Sequence, residues 1–197
     1  MEGTGKAQAD RIEEVLRGML QDPSPAVREA ASSALDRLRA KRAAPALIEK
    51  LHAAPLEERV RLVFAAEEMG GGEGLSILLA ALTDAESQVR GAAARALAAF
   101  PSPPVLKAMV GRLSGEKGVV LANLLESLGK SRRRELMPIM EKFLEHPDAE
   151  VRGTAIVAYA RVTESAGWEK IIGRSAEKND TVRAAVARAL GEWSAPS

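Results

Sequence analysis

Apolar residues recur at three- and four-residue spacing along almost the whole chain, and no stretch sustains the alternation of β-branched and polar residues that marks a strand. The pattern predicts an all-α protein. One unit recurs: an acidic turn, a Val-Arg pair, then small and apolar residues. It is clearest in Asp22 to Leu35, Asp84 to Leu97, Asp148 to Tyr159 and Asp180 to Leu190, with weaker copies at Glu57 to Met69 and Glu116 to Leu128. Anchored on Val27, Val60, Val89, Val120, Val151 and Val182, the copies are spaced 33, 29, 31, 31 and 31 residues apart. The second copy is the poorest: Met69 lies nine residues after its anchor, where Leu97, Leu128 and Leu190 lie eight after theirs. A local slip is expected there.

Each anchor opens a helix, called B, whose positions 0, +4, +7 and +8 share one face, as Val89, Ala93, Ala96 and Leu97 show. A second amphipathic stretch, helix A, precedes each: Ile12 to Leu20, Pro45 to Leu51, Leu75 to Leu82, Val105 to Leu113, Leu136 to Leu144 and Trp168 to Ile172. Pro45, Pro104 and Pro138 suit first helical turns, where the missing N–H has no partner to lose. Asp22, Asp84, Asp148 and Asp180 stand where a carboxylate can accept the free N–H groups of helix B. The expected organisation is a flexible leader at 1–9 and one domain over 10–197, with repeats at 10–39, 40–70, 73–100, 103–129, 132–162 and 165–193. Gly70 to Gly74 reads as a loop.

The D-x4-VR-xx-A-A-xx-L-G pattern resembles the HEAT-like repeats of the phycobilisome-lyase type, over roughly residues 10 to 193. The resemblance implies a right-handed α-α superhelix, an α-solenoid of six two-helix repeats with A helices convex and B helices concave. It also implies that Arg28, Arg61, Arg90, Arg152 and Arg183 pair with a turn carboxylate of their own or the adjacent repeat. The fourth repeat carries Leu121 instead, so that ladder should break there.

Composition narrows the functions. Lys plus Arg total 28 and Asp plus Glu 27, so a net charge of +1 gives no global field to draw in nucleic acid or anionic lipid. Cysteine is absent, which removes disulfides and thiolate chemistry and, with a polar N-terminal stretch and no long apolar run, favours a cytoplasmic protein with no membrane segment. His52 and His146 lie in different repeats without a ligand set, and Gly3-Thr4-Gly5-Lys6 is too short for a phosphate loop. No catalytic constellation, metal site or cofactor site is expected.

A solenoid binds along its inner wall, formed by B-helix positions +2, +6 and +10. Gly91, Arg95, Ala122, Glu126, Gly153, Val157, Arg161, Ala184 and Arg188 are therefore the expected partner-binding residues. The small ones should leave room for another backbone. Two basic clusters, Arg39, Lys41 and Arg42, and Arg132, Arg133 and Arg134, are placed in turns after B helices, where cations suit helix C-termini or form a basic edge. Trp168 and Trp193 are expected to pack over the last repeat. The leading expectation is a non-catalytic scaffold or adaptor holding a peptide or helix of a protein partner. The alternatives are a bilin lyase or isomerase-like subunit, which the scarcity of aromatic residues opposes, and a nucleic-acid-binding repeat protein, which the neutral charge opposes.

Overall fold

The computed structural model describes the backbone of residues 2–163 and 165–193, and side chains over that range except at 2–6, 40, 41, 44, 165 and 166. Every regular element among them is helical. The chain divides by its internal packing into two compact units, Met1–Ala80 and Ala81–Ser197.

The first unit comprises α1 (Glu2–Met19), α2 (Pro25–Ala53), α3 (Leu56–Met69) and most of α4 (Gly71–Ala81). Helix α1 begins at Glu2, so the stretch expected as a leader is helical; Ala7, Gln8 and Ala9 favour that conformation. It packs along α2, and its Glu13 receives Arg17 and Arg42, each at 2.6 Å. Helix α2 runs straight through Pro45, joining the expected B1 and A2 into one element. The proline gives up one backbone hydrogen bond. Between Ala34 and Lys50, however, there is no glycine or asparagine to take the left-handed conformation that ends a helix, so nothing else stops it. The corner between α3 and α4 does have such residues: Gly70 and Gly71 have φ of 62° and 59°. A Cβ at Gly74 would run into the Ala66 carbonyl oxygen.

The second unit contains α5 (Ser87–Ala96), α6 (Pro103–Arg112), α7 (Gly118–Lys130), α8 (Met137–Glu141), α9 (Ala149–Val162), α10 (Ser165–Ile172) and α11 (Asp180–Gly191). Its extensive contacts run in chain order, α5 to α7, α7 to α9 and α9 to α11, with α6, α8 and α10 laid against them. That is an α-solenoid. The anchors Val89, Val120, Val151 and Val182 are all buried, as are Leu124, Leu128, Ala155 and Tyr159 one or two turns on. Burying a side chain of Val or Leu size contributes roughly 1.5–3 kcal/mol, so the anchors and their partners supply the stacking energy.

The turns combine capping with stacking. Asp22, Asp84 and Asp148 accept the N–H two residues on, at 2.8, 2.8 and 2.9 Å, while the cap of α11 is Asn179 rather than Asp180. In Arg28, Arg90, Arg152 and Arg183, Nη1 donates to the carbonyls six and five residues earlier. Arg90 then reaches Glu116 through Nε and Nη2 at 2.8 and 3.0 Å, and Arg152 reaches Glu177 through Nε at 3.1 Å. Each couple thus joins a repeat to the next, through a turn glutamate of the adjacent repeat. Leu121 is buried, and among the described residues no such bridge starts from its position in the fourth repeat.

Burial pushes the Glu116 carboxyl up, but hydrogen bonds from Arg90 and Arg112 outweigh it and hold it below its ordinary 4.5. A carboxylate lowered in the folded state contributes stability that is complete above its unfolded value and is lost as pH falls through the folded one. Glu116→Gln should therefore cost about 3 kcal/mol in urea melts at neutral pH. The penalty should shrink as the pH drops below 4.5. A pH-independent penalty would contradict the assignment.

Candidate interaction surface

The side chains expected on the inner wall fall on α5, α7, α9 and α11 at the margins of the helix seams. Gly91 and Gly153 are buried in those seams, which corrects the expectation that they leave room for a partner's backbone. The Gly91 carbonyl accepts a hydrogen bond from Asn123 Nδ2 at 3.0 Å. A Cβ on Gly153 would lie 3.2 Å from the Ala185 Cβ. The next helix of this same chain takes the space. Ala122 is half-buried, and Ala184 and Arg95 are exposed.

Between the seams of α7, α9 and α11 lies a depression of about 270 Å³ lined by Glu126, Gly153, Thr154, Val157, Ala158, Arg161 and Arg188. Five of these were expected; Thr154 and Ala158 were not, since +7 belongs to the face shared by 0, +4 and +8 and +3 was assigned to neither face. Val157 and Ala158 contribute apolar surface among the charged groups. Arg161 is held by Glu192 at 2.7 and 3.0 Å, and its hydrogen bond lowers the Glu192 carboxyl against the opposing effect of burial. Glu126 pairs with Lys130 at 2.8 Å. Arg188 and Arg95 are exposed and have no ion-pair partner among the described residues. The groove therefore offers an apolar floor with a cation at its rim.

The two basic clusters belong to different units and differ in kind. Arg39 and Arg42 lie within α2 rather than in a turn, and Arg42 is paired with Asp10 and Glu13 while Arg39 stands 3.8 Å from Glu13. They are neutralised against α1. The Lys41 side chain lies outside the described residues. Arg132 does sit in a turn, with φ of 53°, and its Nη2 is 3.7 Å from Glu192; Arg133 and Arg134 are exposed. Trp168 is partly buried, but Trp193 is 55% exposed where packing was expected.

A larger depression of about 640 Å³, not anticipated from the sequence, opens beside α8 and α10. Its walls are tied by the pairs Lys170–Glu141 and Arg174–Glu145. Among the described residues no group of three or more His, Cys, Asp or Glu is placed to hold a metal ion, and no helix is long and apolar enough to cross a membrane.

Set beside known families, residues 45–128 and 112–191 match HEAT repeats, and residues 12–38 match a HEAT repeat. The chain belongs to the HEAT-repeat family. Residues 27–52 of this HEAT-repeat chain also match the PBS lyase HEAT-like repeat. Among solved structures it is similar to human deoxyhypusine hydroxylase in complex with glycerol, at 17% identity and a TM-score of 0.58 over 80% of this chain. The match covers 65% of that enzyme, so the chain spans less than two thirds of its length. An engineered protein is similar at 19% identity and a TM-score of 0.48, over 92% of this chain and 95% of the other. Identities this low speak to fold alone. Among curated proteins none matches the sequence.

The seam reading separates two positions equivalent in the repeat. Gly153→Leu should overpack α9 against α11 and cost about 2 kcal/mol in urea melts, whereas Ala184→Leu should stay within roughly 0.5 kcal/mol of the parent. Equal effects would show that position +2 of α9 is not packed in a seam.

Proposed function

We propose that this HEAT-repeat protein is a non-catalytic adaptor of the cytoplasm that holds a helix or extended peptide of a protein partner across α7, α9 and α11. The observation that carries the reading is the groove at Val157. Its apolar floor, the exposed cation of Arg188 at one margin and the carboxylate of Glu126 at another suit a segment that brings an apolar side chain flanked by opposite charges. Stacked helical repeats present extended surfaces of this kind, and binding along them needs no closed cavity. At about 270 Å³ the depression takes one or two side chains rather than a whole cofactor. Arg95, on α5, extends the surface by a further cation.

The test is a pull-down with the full chain as bait in an extract of the organism it comes from. Arg95→Glu combined with Arg188→Glu should abolish partner capture by the wild-type surface while far-UV circular dichroism stays unchanged. Undiminished capture by the variant would remove the site assignment.

A further inference from the structure

The junction between the fifth and sixth repeats is tied at a fixed register relative to the anchors Val151 and Val182. Glu141 and Glu145 of the fifth repeat pair with Lys170 and Arg174 of the sixth, Arg152 reaches Glu177, and Arg161 reaches Glu192. One junction earlier, Gly129 of α7 meets α9 so closely that a Cβ there would lie 2.7 Å from the Ala158 Cα. The outer face of the sixth repeat repeats these positions, and among the described residues they have no counterpart packed against them. Arg183 holds its two carbonyls through Nη1, while its Nε and Nη2 have no partner among the described residues. A Cβ on Gly191, the counterpart of Gly129 within its repeat copy, two intervals of 31 residues on, would meet nothing within 4 Å. Leu190 and Trp193 are 38% and 55% exposed, where their counterparts Tyr159 and Val162 are 1% exposed.

We propose that this face receives the first repeat of a second copy of the chain, head to tail, in the register that already joins the repeats within one chain. The occupant follows from matching positions. Asp22 stands five residues before Val27, as Glu177 stands before Val182, and so would meet Arg183. Val15 and Met19 are the counterparts of Lys170 and Arg174, and would face Ile172 and Ala176, the counterparts of Glu141 and Glu145. Two ion pairs inside the chain thus become two apolar pairs between chains. Val15 and Met19 are 56% and 40% exposed on α1, and Ile172 is 46% exposed, so both halves of that patch are open. Arg37, the counterpart of Glu192, would meet Glu192 itself, and Ala34 would meet Gly191 as Ala158 meets Gly129. Each matched position brings opposite charges, two apolar groups or two small residues together. A contact between unlike faces does not close at two copies, so the assembly lengthens with concentration. This face borders the peptide groove at Glu192, which holds Arg161, but Asp22, Arg183 and Gly191 are not among the groove's lining residues, so the two proposals are tested separately.

Sedimentation velocity of the full chain from micromolar to millimolar concentration tests it. The wild-type average mass should rise past that of two copies. Gly191→Leu should leave the melting curve of the single chain unchanged and weaken association about tenfold or more. Arg183→Glu and Asp22→Arg taken singly should weaken association as much, and each also loses the turn hydrogen bonds its own side chain makes. Arg183→Glu and Asp22→Arg in one chain should restore association. Three results overturn the proposal: a mass of one copy at every concentration, a plateau at two copies indifferent to Asp22→Arg, and a double variant that melts normally yet stays dissociated.

Discussion

The close approach of successive B helices is the constraint from which the second unit is built. Small residues permit it: Gly129 meets Ala158, Gly153 meets Ala185, and Gly91 lies beneath Asn123. With larger residues there, the helices would stand further apart and the guanidinium bridges would no longer span. At the observed spacing, one arginine serves two purposes: Nη1 satisfies carbonyls of its own turn and the other nitrogens take the carboxylate of the next repeat. Turn geometry and stacking are therefore coupled. A buried pair of this kind adds little net stability over an apolar substitute, yet losing one partner strands a charge, so it acts chiefly to hold register.

The groove is a by-product of the same seams. Where backbones come close, side chains at the edges must splay outward, and Glu126 and Arg188 stand around a hollow whose floor is Val157 and Ala158. Charges that could have filled the inner face are drawn into Arg161–Glu192 and Glu126–Lys130, which fixes where cations remain exposed. Binding surface and stability thus draw on the same few positions. A substitution at a seam glycine should disturb both, whereas one at Arg188 should touch only the surface.

The helical class and the buried anchors of the second unit were legible because a 31-residue period repeats the same physical demand at every copy. The first unit was harder to read. Proline at position 45 suggests a helix start, but a helix ends only where some residue lets the chain turn, and none does so before Ala53. At the start of the chain Gly3 and Gly5 resemble punctuation, although the residues after them favour helix. At the candidate site, Val157, Arg161, Arg188 and Glu126 could be read from their helical phase. Gly91 and Gly153 could not, since a glycine on an inner face serves a neighbouring helix of the same chain as readily as a partner. The bridge to Glu116 and Glu177 was partly legible: the resemblance implied that each arginine pairs with a turn carboxylate of its own or the adjacent repeat, but not which carboxylate.

Gly129→Ala gives the most direct test of the seam, because two effects oppose each other in sign. Helix propensity alone favours alanine inside α7 by about 1 kcal/mol. A Cβ at that position would lie 2.7 Å from the Ala158 Cα and Cβ, so the seam must open. In equilibrium urea unfolding the variant should be less stable than the parent by about 2 kcal/mol, the usual cost of overpacking. A variant as stable as the parent, or more stable, would contradict the account.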